Sequence, residues 1–173
     1  GHRCVALFST NPSPSLTARA EGFNDGLRAG GCDAPARVVH AVESMVVLRE
    51  EPLWGALQEV FSAAERPTAI YATFDSMAEM IFVLLPRLGL RVPDDVSLLG
   101  FGGAWREGAL TRRLNSIVVD EVAIGRQAVS LLDEMRHGLR PLDDNSEFVM
   151  ELSLSDGETL GPPPNCARSE AVD

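Results

Sequence analysis

Short apolar runs rich in strand formers alternate along this chain with longer segments of helical periodicity, a pattern that a parallel sheet with crossover helices satisfies. Arg3–Ser9 reads as a strand that stops at the turn residues Thr10-Asn11-Pro12-Ser13-Pro14. Leu16, Ala20, Phe23 and Leu27 then recur at helical spacing, predicting a helix over Ser15–Ala29 that ends at Gly30-Gly31. Arg37–Val42 is the next strand, and Leu53, Leu57, Val60 and Phe61 mark a helix opened by Pro52 and closed by Pro67. Thr68–Thr73, a helix over Ser76–Leu88, Asp95–Phe101 and Leu114–Val119 continue the alternation. Pro86 is expected to kink that helix or end it early. Glu121–His137 is amphipathic, with Asp120 as N-cap, Gly138 beyond its end, and Ile124, Ala128, Leu131, Leu132 and Met135 on one face. Phe148–Leu154 alternates like a strand, and 161–173, opening Gly161-Pro162-Pro163-Pro164, reads as a disordered tail. The class is α/β, a doubly wound, Rossmann-like parallel sheet covered on both faces.

Composition narrows the partners. With 15 Lys+Arg against 25 Asp+Glu in 173 residues, the net charge of −10 opposes binding of nucleic acid by these residues themselves. No apolar run approaches the roughly 20 residues of a membrane span, and GHRCVALFST lacks the long apolar core of a signal peptide. A cytoplasmic protein with no membrane partner is expected. Cys4, Cys32 and Cys166 form no CxxC pair and read as isolated thiols.

Ligands of open parallel sheets bind outside the carboxyl ends of the strands. Those ends are Ser9-Thr10-Asn11, Thr73-Phe74-Asp75, Gly100-Phe101-Gly102-Gly103 with Trp105 just beyond, and Val119-Asp120. Hydroxyls, a carboxylate, amides and aromatics there suit a small polar ligand with an apolar face, such as a sugar or nucleoside. Arg19, near the start of the first helix, can reach back over the strand ends; the alternative is a surface pair with Glu21 or Asp25. Asp75 either accepts from a ligand hydroxyl or N-caps the helix that follows it. Phe74 and Trp105 are either ligand-facing or core aromatics. No GxSxG elbow, P-loop or GxGxxG follows a strand, and His2, His40 and His137 lack metal-ligand spacing. Neither an enzyme, nor a cofactor, nor a metal is expected.

The order of motifs resembles the effector-binding core of the LacI/GalR family of bacterial transcriptional regulators. Gly1-His2-Arg3-Cys4-Val5-Ala6-Leu7 resembles its opening strand, Arg19-Ala20-Glu21-Gly22-Phe23 its R-x-x-G-F helix, and 67–78 its P-T-A-[I/V]-x-[A/C]-x-N-D-x-[M/L]-A segment. The stretch 88–101, LGLRVPDDVSLLGF, is similar nearly residue for residue to L-G-L-x-V-P-x-D-V-S-[V/L]-[V/I]-G-[F/Y]. Leu114–Val119 and Ile124-Gly125-Arg126-Gln127-Ala128 resemble its L-T-[T/S]-[V/I] and [M/L]-G-x-x-A elements.

The resemblance implies two lobes of the type I periplasmic-binding-protein kind with an effector between them. Residues 1–118 correspond to the C-terminal lobe, 119–153 to a helix and strand of the other lobe, and 154–160 to a return. Operator DNA would be held by an N-terminal helix-turn-helix module outside this chain, which begins part-way through the core. The resemblance puts the family's effector-contacting Arg on Arg19 and the Asp of its N-D pair on Asp75; with the strand-end residues Thr10, Asn11, Phe74, Gly102 and Trp105 these are the expected effector contacts, for a sugar, a sugar derivative or a nucleoside. Phe74 stands where the family has Asn, and Gly102-Gly103 where it commonly has an acidic pair; stacking by Trp105 is expected to compensate. A homodimer through helix faces such as Met80 and Leu84 is implied as well. The alternative reading is a periplasmic solute-binding protein of a transporter.

Overall fold

The computed structural model describes residues 1–10, 12–42, 48–103, 110 and 112–164, with only the backbone of Val42; Asn11, Trp105 and Cys166 lie outside the described residues. The elements run β1 (Val5–Thr10), α1 (Pro14–Ala29), β2 (Arg37–Val42), α2 (Glu50–Ser62), β3 (Ala69–Ala72), α3 (Asp75–Leu84), a 3-10 turn (Leu85–Leu88), β4 (Ser97–Gly102), β5 (Asn115–Val118), α4 (Glu121–Arg136) and β6 (Ser153–Leu154). One six-stranded sheet has the order β2-β1-β3-β4-β5-β6. Its first five strands are parallel, and β6 pairs antiparallel with β5.

The α/β doubly wound class follows from how β1 is buried. Ala6 and Phe8 join Ile70, Ala72 and Leu98 against α2 and α3. Val5 and Leu7, on the opposite face, pack with Tyr71, Leu99 and Phe101 against Ala20, Phe23 and Leu27 of α1. The chain leaves β1 for β2 on one side and returns to β3 on the other, so the strand order reverses between β1 and β3 and opens a crevice at their carboxyl ends.

Local chemistry sets the element ends. Ser13 caps α1 by accepting from the Leu16 amide, and Asp120 caps α4 by accepting from Ala123 N at 2.8 Å. Regular helix α3 stops at Leu84, before Pro86, as the missing proline donor requires. Leu84 is a core residue and cannot serve a dimer face; Met80 is half-buried, and Val83 is the exposed apolar residue on that helix.

Two expectations at the carboxyl-terminal end are corrected. The strand expected over Phe148–Leu154 reduces to Ser153–Leu154, because its apolar residues find no sheet face: Val149 is 91% exposed, and Phe148 instead meets the Arg140 guanidinium 5.2 Å from its ring centroid. The tail does not start at 161. Thr159 is fully buried; its amide donates to Asn115 Oδ1 at 2.9 Å, and its Oγ1 donates to Leu98 O at 2.7 Å. Gly161 N donates to Ser97 Oγ at 2.9 Å, and Gly161 O faces His2 Nε2 at 3.0 Å. Residues 165–173 lie outside the described residues.

Helix α4 buries none of its residues, and Val122, Ile124, Val129 and Leu132 are exposed. Asn115→Ala is therefore expected to strand the Thr159 and Leu160 amides and to destabilise the chain by about 2–4 kcal/mol, whereas Val129→Asn on α4 should change it by less than about 0.5 kcal/mol. Urea unfolding midpoints of the two variants check the contrast.

Candidate functional site

The crevice between β1 and β3 is floored by strand ends held in place by their own hydrogen bonds. Ser9 and His40 are register partners, but Thr10 pairs with Val42, a one-residue bulge that turns the end of β1. His40 Nδ1 lies 2.8 Å from the Thr10 carbonyl and 2.9 Å from Ser9 Oγ. Because a carbonyl only accepts, this nitrogen carries the proton and donates. A donating Nδ1 cannot take a proton from Ser9, so the pair straps the bulge rather than activating a nucleophile.

Arg19 does reach over the strand ends. Its guanidinium lies 3.8 Å from the Phe101 ring centroid, and Nη1 donates to the Thr73 carbonyl at 3.0 Å. Stacking on an aromatic face and a backbone acceptor fix the fork. The surface alternative through Asp25 does not form, since Asp25 pairs with Arg28. Beneath this layer, burial pushes the Tyr71 phenol above its ordinary pKa, opposed by the Arg19 cation and reinforced by Asp75.

Asp75 is not an N-cap. Phe74 occupies the cap position without a side-chain bond, and Asp75 is the first residue of α3. Its carboxylate, on a residue 5% exposed, accepts from Ser116 Oγ at 2.6 Å. A carboxylate in the first turn also suits the helix dipole. The same Ser116 oxygen accepts from Gly103 N at 3.0 Å, so one hydroxyl ties α3, the end of β4 and β5 together. The glycines make this possible: a Cβ on Gly100 would overlap Asp75 Oδ1, and one on Gly103, at φ +69°, would lie 2.8 Å from Val118 Cα. Gly102, at φ +123°, leaves 3.4 Å between its would-be Cβ and Asp75 Oδ2.

The structure thus brings Thr10, Arg19, Asp75 and Gly102 to the strand ends. Phe74 is corrected to a core residue on the α2/α3 face, and Asn11 and Trp105 fall outside the described residues. Phe101, Ser116 and His40, none of them among the expected effector contacts, also shape these strand ends. Strand alternation gives a signal for Phe101 alone, by placing it on the face that α1 covers. The arrangement offers a fixed cation, a hydroxyl, a glycine-lined turn and an engaged carboxylate: parts for recognising a small polar molecule.

Residues 1–159 match the family described as the periplasmic binding protein-like domain. The HTH-type transcriptional repressor PurR of Escherichia coli is 30% identical over 168 residues, covering 91% of this chain and 46% of that protein. PurR of Photobacterium profundum is 29% identical over 169 residues, covering 90% and 47%. A LacI transcriptional regulator from a Rhodococcus species superposes with a TM-score of 0.76 at 25% identity, covering 94% of this chain and 57% of that one. The lac repressor dimer, solved on its operator with the anti-inducer ONPF, superposes at 0.74 with 22% identity, covering 93% and 47%. The chain spans about half the length of the curated relatives it matches.

A doubly wound lobe whose strand order reverses between β1 and β3 is what the fold defines; the chain belongs to the periplasmic binding protein-like domain family. Within that family its likeness is to the effector-binding core of LacI/GalR regulators.

Gly100→Ala is expected to displace the Asp75 carboxylate from Ser116 and to destabilise the chain by about 2–4 kcal/mol. Gly22→Ala, where a Cβ would meet nothing within 4 Å on α1, should stabilise it by about 0.5–1 kcal/mol. Thermal midpoints distinguish the two glycines.

Proposed function

We propose that this chain is the effector-sensing and dimerisation part of a bacterial LacI-type transcriptional regulator. Residues 1–118 and 154–160 make the C-terminal lobe of its core, and 119–153 belong with the other lobe. The observation that carries the effector reading is Arg19, fixed over Phe101 and on the Thr73 carbonyl at the crevice where the strand order reverses. The apolar residues that α4 leaves exposed support its assignment to a second lobe, which would cover them. Among the relatives, both PurR proteins are repressors, which supports a regulator over a transporter's solute-binding protein.

In this reading a sugar, sugar derivative or nucleoside binds between the lobes and shifts their closure, and closure sets the spacing of paired DNA-binding modules. Operator DNA is held by a module outside these residues, in keeping with their charge of −10. The protein works in the cytoplasm as a homodimer, with the outer face of α3 around Met80 and Val83 as contact. Among related structures, LacI-family regulators from an Arthrobacter species and from Enterococcus faecium were solved with lactose and with ribose respectively; both likenesses support the fold of a sugar-binding crevice.

The full-length protein is expected to gain several degrees of thermal midpoint with a member of a panel of sugars, sugar phosphates and nucleosides, and that member should change operator affinity. A ligand that stabilises the protein and leaves operator affinity unchanged would contradict the regulatory reading. Arg19→Lys, which keeps the charge and loses the planar fork, should weaken that ligand about tenfold.

A further inference from the structure

Among the described residues, one buried side-chain polar atom has no hydrogen-bond partner: Thr73 Oγ1. Thr73 is 1% exposed and sits where β3 ends, its amide still donating to Phe8 O at 3.0 Å. The comparable hydroxyl at the end of β1, that of Ser9, donates to Thr10 O at 3.1 Å and meets His40. A buried hydroxyl with no partner destabilises the fold, and a valine would fill the same volume without that penalty. Being closed to bulk water, Thr73 Oγ1 can be satisfied only by an ordered water or by a bound ligand.

The position of the orphaned group points to what that partner is. Thr73 lies two residues beyond Tyr71, and strand alternation places it on the face covered by α1, with Leu99 and Phe101. This is the face on which the Arg19 guanidinium stacks on Phe101, and Nη1 of that guanidinium is bonded to the carbonyl of Thr73 itself. A hydroxyl donor and a five-donor cation therefore share one residue's surroundings, a set suited to an acceptor oxygen.

We infer that Thr73 is a further effector-binding residue, its hydroxyl donating to a carbonyl, hydroxyl or carboxylate oxygen of the effector beside Arg19. The inference rests on the effector reading proposed above and names the chemistry that the ligand must present there. The hydroxyl is left unsatisfied in the ligand-free chain and satisfied in the bound one, so its hydrogen bond counts toward binding and not toward folding.

The test uses the full-length protein, with D-ribose, lactose and adenosine as probes in calorimetric titration, and thermal midpoints taken without ligand. For the probe that the wild type binds, Thr73→Val should weaken affinity about five- to tenfold, while the ligand-free midpoint stays level or rises. Thr73→Ser should bind within about twofold of wild type. If the valine variant folds poorly, Thr73→Ser and Thr73→Ala supply the comparison, since they differ by the hydroxyl alone. Equal affinity in wild type and Thr73→Val, or in Thr73→Ser and Thr73→Ala, overturns the inference and leaves the hydroxyl as an orphan or a water site. A wild type that binds none of the three overturns the effector reading for these ligands, and this assignment with it.

Discussion

Strands β1 and β3 are apolar on both faces and lie between helices, so a polar side chain on them has nowhere to go except the strand ends. From Val5 to Ser9 every residue of β1 is buried, and along β3 so are Ile70, Tyr71 and Ala72. Parallel strands of this kind keep their backbone satisfied by the ladder and their side chains dry on both sides. Ser9, Thr10, Thr73 and Asp75 accordingly collect at one edge, where the crossover to β2 and the return to β3 part company. The helices that dry the sheet also aim the site. α1 must lie on Val5, Leu7 and Tyr71 to bury Phe23 and Leu27, and that docking carries Arg19 over Phe101. α3 must lie on the other face to bury Met77, Ala78 and Ile81, and that docking puts Asp75 under the end of β4.

What could be read from the sequence was whatever depends on near neighbours. Periodicity predicts the alternation of strands and helices, proline chemistry predicts that α3 ends ahead of Pro86, and the Asp120 cap of α4 follows from side-chain length and position. Arg19 was legible because helical spacing alone puts it one turn inside α1. The partners of these groups were not. Asp75 and Ser116 are 41 residues apart, and nothing local says that a serine in an apolar strand answers a carboxylate at a helix start. Phe74 illustrates the opposite failure. An aromatic at a strand end has the composition of a ligand platform, but its turn into the cap of α3 swings it onto the core face. Phe148–Leu154 has the alternation of a strand and no sheet face to use it on, because tertiary burial rather than pattern decides pairing.

The end of the described chain shows how non-local bonds replace regular structure. Residues 155–161 form neither helix nor strand, yet Ser155, Thr159 and Gly161 each bond to a strand of the sheet. Ser155 Oγ takes the Ser116 amide at 2.7 Å, Asn115 Oδ1 takes two successive amides at 2.9 and 3.0 Å, and Ser97 both donates to and accepts from Gly161. Buried backbone without ladder partners is stable only when side chains satisfy it, and here the polar side chains of β4 and β5 do so. Those residues sit in strands whose other faces are apolar, so a scan for hydrophobic pattern passes over them. The same lock anchors both ends of the segment that carries α4, since β5 leads into that helix and β6 leads out of it.

In the proposed regulator the crevice on this lobe is half of a binding surface, and the energetics of control follow from that. A ligand shifts an equilibrium between two arrangements only by the difference in its affinity for them, about 1.4 kcal/mol for each factor of ten. Contacts made wholly within this lobe, such as that of Arg19 with the Thr73 carbonyl, are present whatever the second lobe does, and hold the site ready without favouring closure. Groups left incompletely bonded do favour it, because they gain a partner only when ligand is held between both lobes. The rigid elements here, the His40 strap on Thr10, the Ser116 tie on Asp75 and the guanidinium on Phe101, fix donors in place so that little ordering remains to be done on binding. In the proposed regulator the discrimination between open and closed therefore lies less in the tight internal network than in donors, such as Thr73 Oγ1, that this network leaves without a partner.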